Sequence, residues 1–103
     1  RALTDLVSED NRNNIPTKFQ LYQNYPNPFN PSTTIRYDLP KNDYVQLTIY
    51  NILGEEVRML INKEMPAGVH SLTVDMRNLS SGIYFYTITS RYFNQTKKMV
   101  LIR

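Results

Sequence analysis

From residue 19 onward the chain never holds a helical hydrophobic period. It breaks into short alternating runs separated by turn residues, and that texture leaves few folds open. In residues 33–39, Ile35, Tyr37 and Leu39 share one face. In residues 44–50, Val45, Leu47 and Ile49 share a face, with Tyr44, Gln46, Thr48 and Tyr50 opposite. Residues 69–74 put His70, Leu72 and Val74 together, and residues 83–90 set Tyr84, Tyr86 and Ile88 against Ile83 and Phe85. These groupings follow from the strand period, which sends successive side chains to opposite faces. Residues 56–61 are less regular, because Val57 and Leu60 share a face only across a bulge. Residues 19–23 and 96–102 complete a set of seven runs.

The breaks carry turn chemistry: Pro40-Lys41-Asn42-Asp43, Leu53-Gly54, Pro66-Ala67-Gly68, Ser80-Ser81-Gly82 and Asn94-Gln95. The glycines Gly54, Gly68 and Gly82 all fall there, where a positive φ would be needed. Between the first two runs lies Asn24-Tyr25-Pro26-Asn27-Pro28-Phe29-Asn30-Pro31. Its three prolines in six residues remove three amide donors and push each preceding residue out of helical space, so the segment is a non-helical corner. Short strands at regular spacing predict an all-β fold, an immunoglobulin-like antiparallel β-sandwich of about seven strands.

The 103 residues suit one domain with one modest core. Residues 1–18 are polar and aperiodic (Ser8-Glu9-Asp10-Asn11-Arg12-Asn13-Asn14). They read as a linker with a short helical turn around residues 3–7, which leaves residues 19–103 as the folded domain. The chain starts on Arg1 rather than Met, so the expectation is the tail of a longer protein. There is no cysteine, which excludes disulfides, thiolate metal sites and cysteine nucleophiles. A small secreted animal domain would usually carry bridges, so an extracytoplasmic chain of this kind reads as bacterial. No stretch approaches the roughly 18 apolar residues of a membrane span.

The residues offer no constellation for catalysis. The single histidine, His70, sits on the inward face of a strand, where a satisfied, partly buried role is expected. Glu55 and Glu56 are neighbours that point apart when extended, poor geometry for an acid/base pair. Asp38, Asp43 and Asp75 lack the dense spacing of a calcium loop, so no metal and no cofactor is expected. Asn78-Leu79-Ser80 and Asn94-Gln95-Thr96 match the glycosylation pattern but read as turns. The net charge of +3, with Arg91, Lys97, Lys98 and Arg103 late in the chain, describes a solvated basic end without a nucleic-acid motif. Tyr44 and Tyr50 share parity and suggest a sugar-stacking face, against the simpler reading that they cover the rim of the core.

Recognition is the remaining role, and the closing run Lys97-Lys98-Met99-Val100-Leu101-Ile102-Arg103 is its candidate site. A last strand offers a partner an end and a pairing edge. Lys98, Val100 and Ile102 would face one way, and Lys97, Met99, Leu101 and Arg103 the other. One set holds the strand to the core while the other is displayed, and Lys97 and Arg103 would discourage promiscuous edge pairing.

At Gln23-Asn24-Tyr25-Pro26-Asn27-Pro28-Phe29-Asn30-Pro31-Ser32-Thr33-Thr34-Ile35 the chain resembles a known family, the C-terminal sorting domain (type A) of type IX secretion cargo, found in the Bacteroidetes and relatives. Further marks follow in family order. They are Leu47-Thr48-Ile49-Tyr50-Asn51-Ile52-Leu53-Gly54-Glu55-Glu56-Val57, Ala67-Gly68-Val69-His70, Leu79-Ser80-Ser81-Gly82-Ile83-Tyr84-Phe85-Tyr86 and the closing run. The resemblance covers roughly residues 16–103. It implies an immunoglobulin-like sandwich that directs an upstream cargo domain, already in the periplasm, through the outer-membrane translocon to the medium or the cell surface. It also implies a sortase-like peptidase that removes the domain by a cut before about Phe19. The alternative is a non-catalytic carbohydrate- or surface-binding accessory domain of a larger hydrolase.

Overall fold

A computed structural model describes residues 15–103, so the expected helical turn and most of the linker lie outside the described residues. Seven strands follow one another: β1 (Gln20–Leu21), β2 (Ser32–Leu39), β3 (Asp43–Tyr50), β4 (Glu56–Met65), β5 (Gly68–Asp75), β6 (Gly82–Thr89) and β7 (Asn94–Leu101). All strand pairs are antiparallel. They form a three-stranded sheet of order β1-β2-β5 and a four-stranded sheet of order β4-β3-β6-β7. The expected sandwich is present, with its fourth strand beside the third rather than beside the fifth, as a constant-type immunoglobulin domain would have it.

The alternating faces read from the sequence are the faces that pack. Ile35, Tyr37 and Leu39 from β2, Val45, Leu47 and Ile49 from β3, and Tyr86 and Ile88 from β6 are all buried. Met99 and Leu101 from β7 join them. Each such side chain contributes about 1.5–3 kcal/mol, and that burial is the main force holding the two sheets together. On β4 the pairing with β3 shifts twice, and the register skips Leu60 and Val57. The irregularity expected between these residues is therefore two local slips, which turn both toward the core as half-buried side chains.

Strand limits differ from the sequence reading at the first run and at Asp43. The first run keeps only two ladder residues, yet it continues alongside β2. Tyr22 N–H donates to the Arg36 carbonyl at 3.0 Å, and Tyr25 and Thr34 exchange bonds of 3.0 and 2.9 Å. Asp43, read as a turn residue, is fully buried at the start of β3. Its Oδ1 accepts the Arg91 amide at 3.1 Å. Between β3 and β4 the Asn51 side chain organises the loop, its Oδ1 accepting from Leu53 N (2.9 Å) and Glu55 N (3.0 Å). Gly54 sits there at φ 83°, in the left-handed region that disfavours other residues.

Two tyrosines of β6 lock the connections. Tyr84 Oη donates to the Ser80 carbonyl at 2.7 Å, the tyrosine corner of immunoglobulin-like sandwiches. Tyr86 Oη donates to the Tyr22 carbonyl at 2.7 Å and accepts the Asn24 amide at 2.7 Å, tying the four-stranded sheet to the chain entering the proline corner. Burial pushes the Tyr86 hydroxyl up to about 12. Its neutral form therefore stabilises the fold fully below the ordinary tyrosine range, and that contribution is lost as pH rises through about 12. Tyr86→Phe should cost about 1–3 kcal/mol at neutral pH, because the Asn24 amide and Tyr22 carbonyl lose a buried partner. Denaturant titrations at pH 8 and above pH 11 should show the difference between wild type and variant shrinking at the higher pH.

Candidate functional site

The proline corner and the last strand form one unit. Phe29 is buried, and its amide donates to the Val100 carbonyl at 3.0 Å while its carbonyl accepts the Ile102 amide at 2.9 Å. That exchange is a parallel bridge between Phe29 and Leu101. Asn27 Oδ1 accepts the Val100 amide at 3.0 Å, and Gln23 Nε2 donates to the Lys98 carbonyl at 2.6 Å. Residues 23–29 thus stand in for a further strand along the outer edge of β7. The sequence reading gave the closing run an open pairing edge, and the structure corrects this. Lys98 O, Val100 N and O, and Ile102 N are already bonded.

The buried polar side chains of the corner are satisfied within it and from β2. Asn24, nearly fully buried, donates from Nδ2 to the Pro26 carbonyl (3.1 Å) and to Thr33 Oγ1 (2.9 Å). Thr33 Oγ1 donates in turn to the Pro26 carbonyl at 2.8 Å. The Pro31 carbonyl accepts the Met76 amide at 3.0 Å. Pro26, Pro28 and Pro31 offer no amide that would compete, and the residue types of the motif suit a turn that presents carbonyls and a single phenylalanine. Tyr25 is the exception: the residue is 81% exposed, and it joins the corner to β2 through its backbone and not its ring.

Side-chain directions on β7 follow the expected parity. Met99 and Leu101 are buried, whereas Lys98 and Ile102 are exposed and Val100 is half-buried on the outer face. Across β6 the outer face continues through Ile83, paired with Val100, and Phe85, paired with Lys98, to Tyr50 on β3. Lys97 lies on the inward parity and is half-buried. The Arg103 guanidinium donates to the Arg77 carbonyl, so it is held at the end of the sandwich rather than on the strand edge.

Gly54 lies in the loop between β3 and β4, and Gly68 and Gly82 open β5 and β6; all three carry backbone conformation rather than contacts. The acidic residues considered for calcium are kept apart by separate arginine partners: Asp38 with Arg36, Asp43 with Arg91, Asp75 with Arg77. The Arg77 guanidinium holds the Asp75 carboxyl below its usual range. His70 Nε2 lies 2.7 Å from the Pro66 carbonyl and its ring stacks on Tyr37 at 5.2 Å, the satisfied role expected of it. Tyr44 and Tyr50 both lie on the outer face of β3, with Tyr44 Oη donating to Asn62 Oδ1 at 2.7 Å. Residues that sequence reasoning left out of the site are Gln23, Asn24, Thr33 and Tyr86. Their signal was present, as amide and hydroxyl side chains, but only the fold brings Gln23 to β7 and gathers Asn24, Thr33 and Tyr86 at the corner.

A family model described as the secretion system C-terminal sorting domain matches residues 23–102, the span that runs from the first clamping residue through the last strand. The chain belongs to that family. No curated protein matched the sequence in a separate search. A sorting domain of this family is the signal for type IX secretion: it directs a cargo chain, through contact with the secretion machinery, by way of the periplasm to the medium or the cell surface. Such signal domains are generally non-catalytic. No helix among the described residues is long and apolar enough to cross a membrane.

The clamp makes the rigidity of the sorting domain's last strand depend on two side chains. Phe29→Ala should destabilise the fold by about 3–5 kcal/mol through lost burial. Asn27→Ala should cost about 1 kcal/mol, because the Val100 amide it pairs with lies at the surface and can turn to water. Urea titrations of the two variants should rank them in that order. Equal losses would mean that the buried Phe29 ring contributes no more than the single Asn27 bond.

Proposed function

We propose that the translocon reads the side chains of the closing run rather than its backbone. Lys98, Val100 and Ile102 form the displayed set, Lys97 and Arg103 flank it with positive charge, and Met99 and Leu101 hold the strand to the core. The observation that carries this reading is the covered end of β7, where Lys98 O, Val100 N and O, and Ile102 N are taken by residues 23–29. Residues 19–103 act as the sorting domain and residues 1–18 as the linker to an upstream cargo. A sortase-like peptidase cuts in that linker, before about Phe19. The domain itself performs no chemistry, in keeping with a lone histidine engaged by a carbonyl and a tyrosine ring.

A sugar-binding role is less favoured. Tyr44 and Tyr50 stand six positions apart on one strand, a span of roughly 20 Å, too wide for adjacent sugar rings to bridge. Tyr44 is also tied down by Asn62.

The test is export of a periplasm-directed fluorescent protein fused to residues 1–103, in a host with an active type IX system and in a translocon-null strain. Wild-type fusion should reach the surface or medium only in the active strain. Lys98→Glu and Ile102→Asp change exposed side chains, so their melting temperatures should stay within a few degrees of wild type while exported reporter falls about tenfold. Normal export of both folded variants would show that the displayed side chains are not what is read.

A further inference from the structure

Two sheets have four edges, and three of them are managed. β1 has only two ladder residues. β7 carries Lys97 and Lys98 and is covered from the Lys98 carbonyl onward by the proline corner. β4 carries Glu56, Arg58, Lys63 and Glu64 and slips register twice. Short strands, covering segments, charges and bulges are the devices by which proteins prevent unwanted strand pairing.

β5 has none of them. It runs eight residues as Gly-Val-His-Ser-Leu-Thr-Val-Asp, with no proline and no Lys, Arg or Glu. Its only carboxylate is Asp75, the last residue, and its register with β2 is unbroken. The direction of its backbone groups follows from β2. Thr34 and Arg36 turn their backbone toward the first strand's side, bonding Tyr25 and Tyr22. The alternate residues Thr33, Ile35 and Tyr37 therefore bond β5, at Val74, Leu72 and His70. Val69, Ser71 and Thr73 are left aiming their amides and carbonyls outward, and no described residue is bonded to them there. Arg58 reaches over only at the far end, donating to the Asp75 carbonyl at 2.8 Å.

The seam beside this edge is apolar and incompletely closed. Leu72 on β5 and Val57 and Leu60 on β4 pack against the core yet remain half-buried, whereas Met99, Leu101 and Leu21 on the opposite side are fully buried. β4 and β5 are joined by the short turn at Pro66 and Ala67, so both features lie on the same flank. An outward row of amides and carbonyls next to a partly open apolar seam matches one ligand chemistry, an extended backbone with an apolar side chain at alternate positions.

We propose that the β5 edge is a strand-addition site that receives an extended peptide segment of the secretion machinery. The segment bonds Val69, Ser71 and Thr73 and lays its inward side chains along Leu72, Leu60 and Val57. This rests on the sorting function and adds a second contact, of the backbone type that the covered end of β7 does not offer.

The decisive variant is Ser71→Pro, which deletes an outward amide and leaves the bonds to β2 intact, as an edge strand tolerates. Thr73→Lys opposes pairing by charge instead and serves if the proline variant does not fold. With folding confirmed by thermal melts, each should lower export of the fusion about tenfold while Ser71→Ala exports as wild type. Export by both folded variants at the wild-type level would overturn the proposal. In the purified 103-residue chain, hydrogen exchange should be fast at Val69, Ser71 and Thr73 and slow at His70, Leu72 and Val74. Equal protection of both sets would also overturn it, whatever the export result. Sedimentation showing a dimer that Ser71→Pro abolishes would assign the edge to a second copy and overturn the partner named here. Failure of the wild-type fusion to leave the periplasm would count instead against the sorting reading.

Discussion

The bonds between Phe29 and the last strand set the terms for the rest of the molecule. One residue of a proline-rich corner gives its amide to Val100 and takes the amide of Ile102. Its ring is buried in the same step. Without that exchange β7 would be an edge held only by β6. With it, β7 is flanked on both sides, and Met99 and Leu101 are fixed in the core. The displayed side chains Lys98, Val100 and Ile102 are then presented on a rigid outer face.

The same interaction explains how the two flanks of the sandwich come to differ. On the flank of β1 and β7, Gln23, Asn27 and Phe29 seal the edge, and Tyr86 ties the entry of the corner to β6. On the flank of β4 and β5 Val57, Leu60 and Leu72 stay half-buried, and the β5 edge has neither a cover nor the charges of β4 among the described residues. Sealed on one side and receptive on the other, the domain can offer side chains from one strand and backbone from another. Both are modes by which peptides and domains are recognised without chemistry.

Most of the fold was legible in the residues because β-sandwich burial is a period-two code. Ile35, Tyr37 and Leu39 or Val45, Leu47 and Ile49 point inward wherever their strands lie, so their burial needs no tertiary knowledge. Asp43 shows where such reading stops. Turn chemistry around Pro40 suited a loop, yet Asp43 is buried because the Arg91 amide from the connection after β6 meets it. The closing of β7 was not legible for the same reason. Nothing local relates Asn27 to Val100, and the pairing appears only once two distant segments have been brought together by the sheets. Read alone, a last strand looks like an edge. The proline motif itself was plain as a corner, but its task of supplying a carbonyl, a side-chain amide and a ring to another strand was not.

Amide hydrogen exchange at Val100 and Ile102 in the unmodified chain tests the closed edge most directly. If residues 23–29 act as a further strand, both amides should exchange far more slowly than exposed loop amides, Ile102 on its backbone carbonyl more slowly than Val100 on the surface Asn27 side chain. Exchange of both at the rate of exposed loop amides would mean that the edge of the last strand is open, and the account of its recognition by side chains alone would fall.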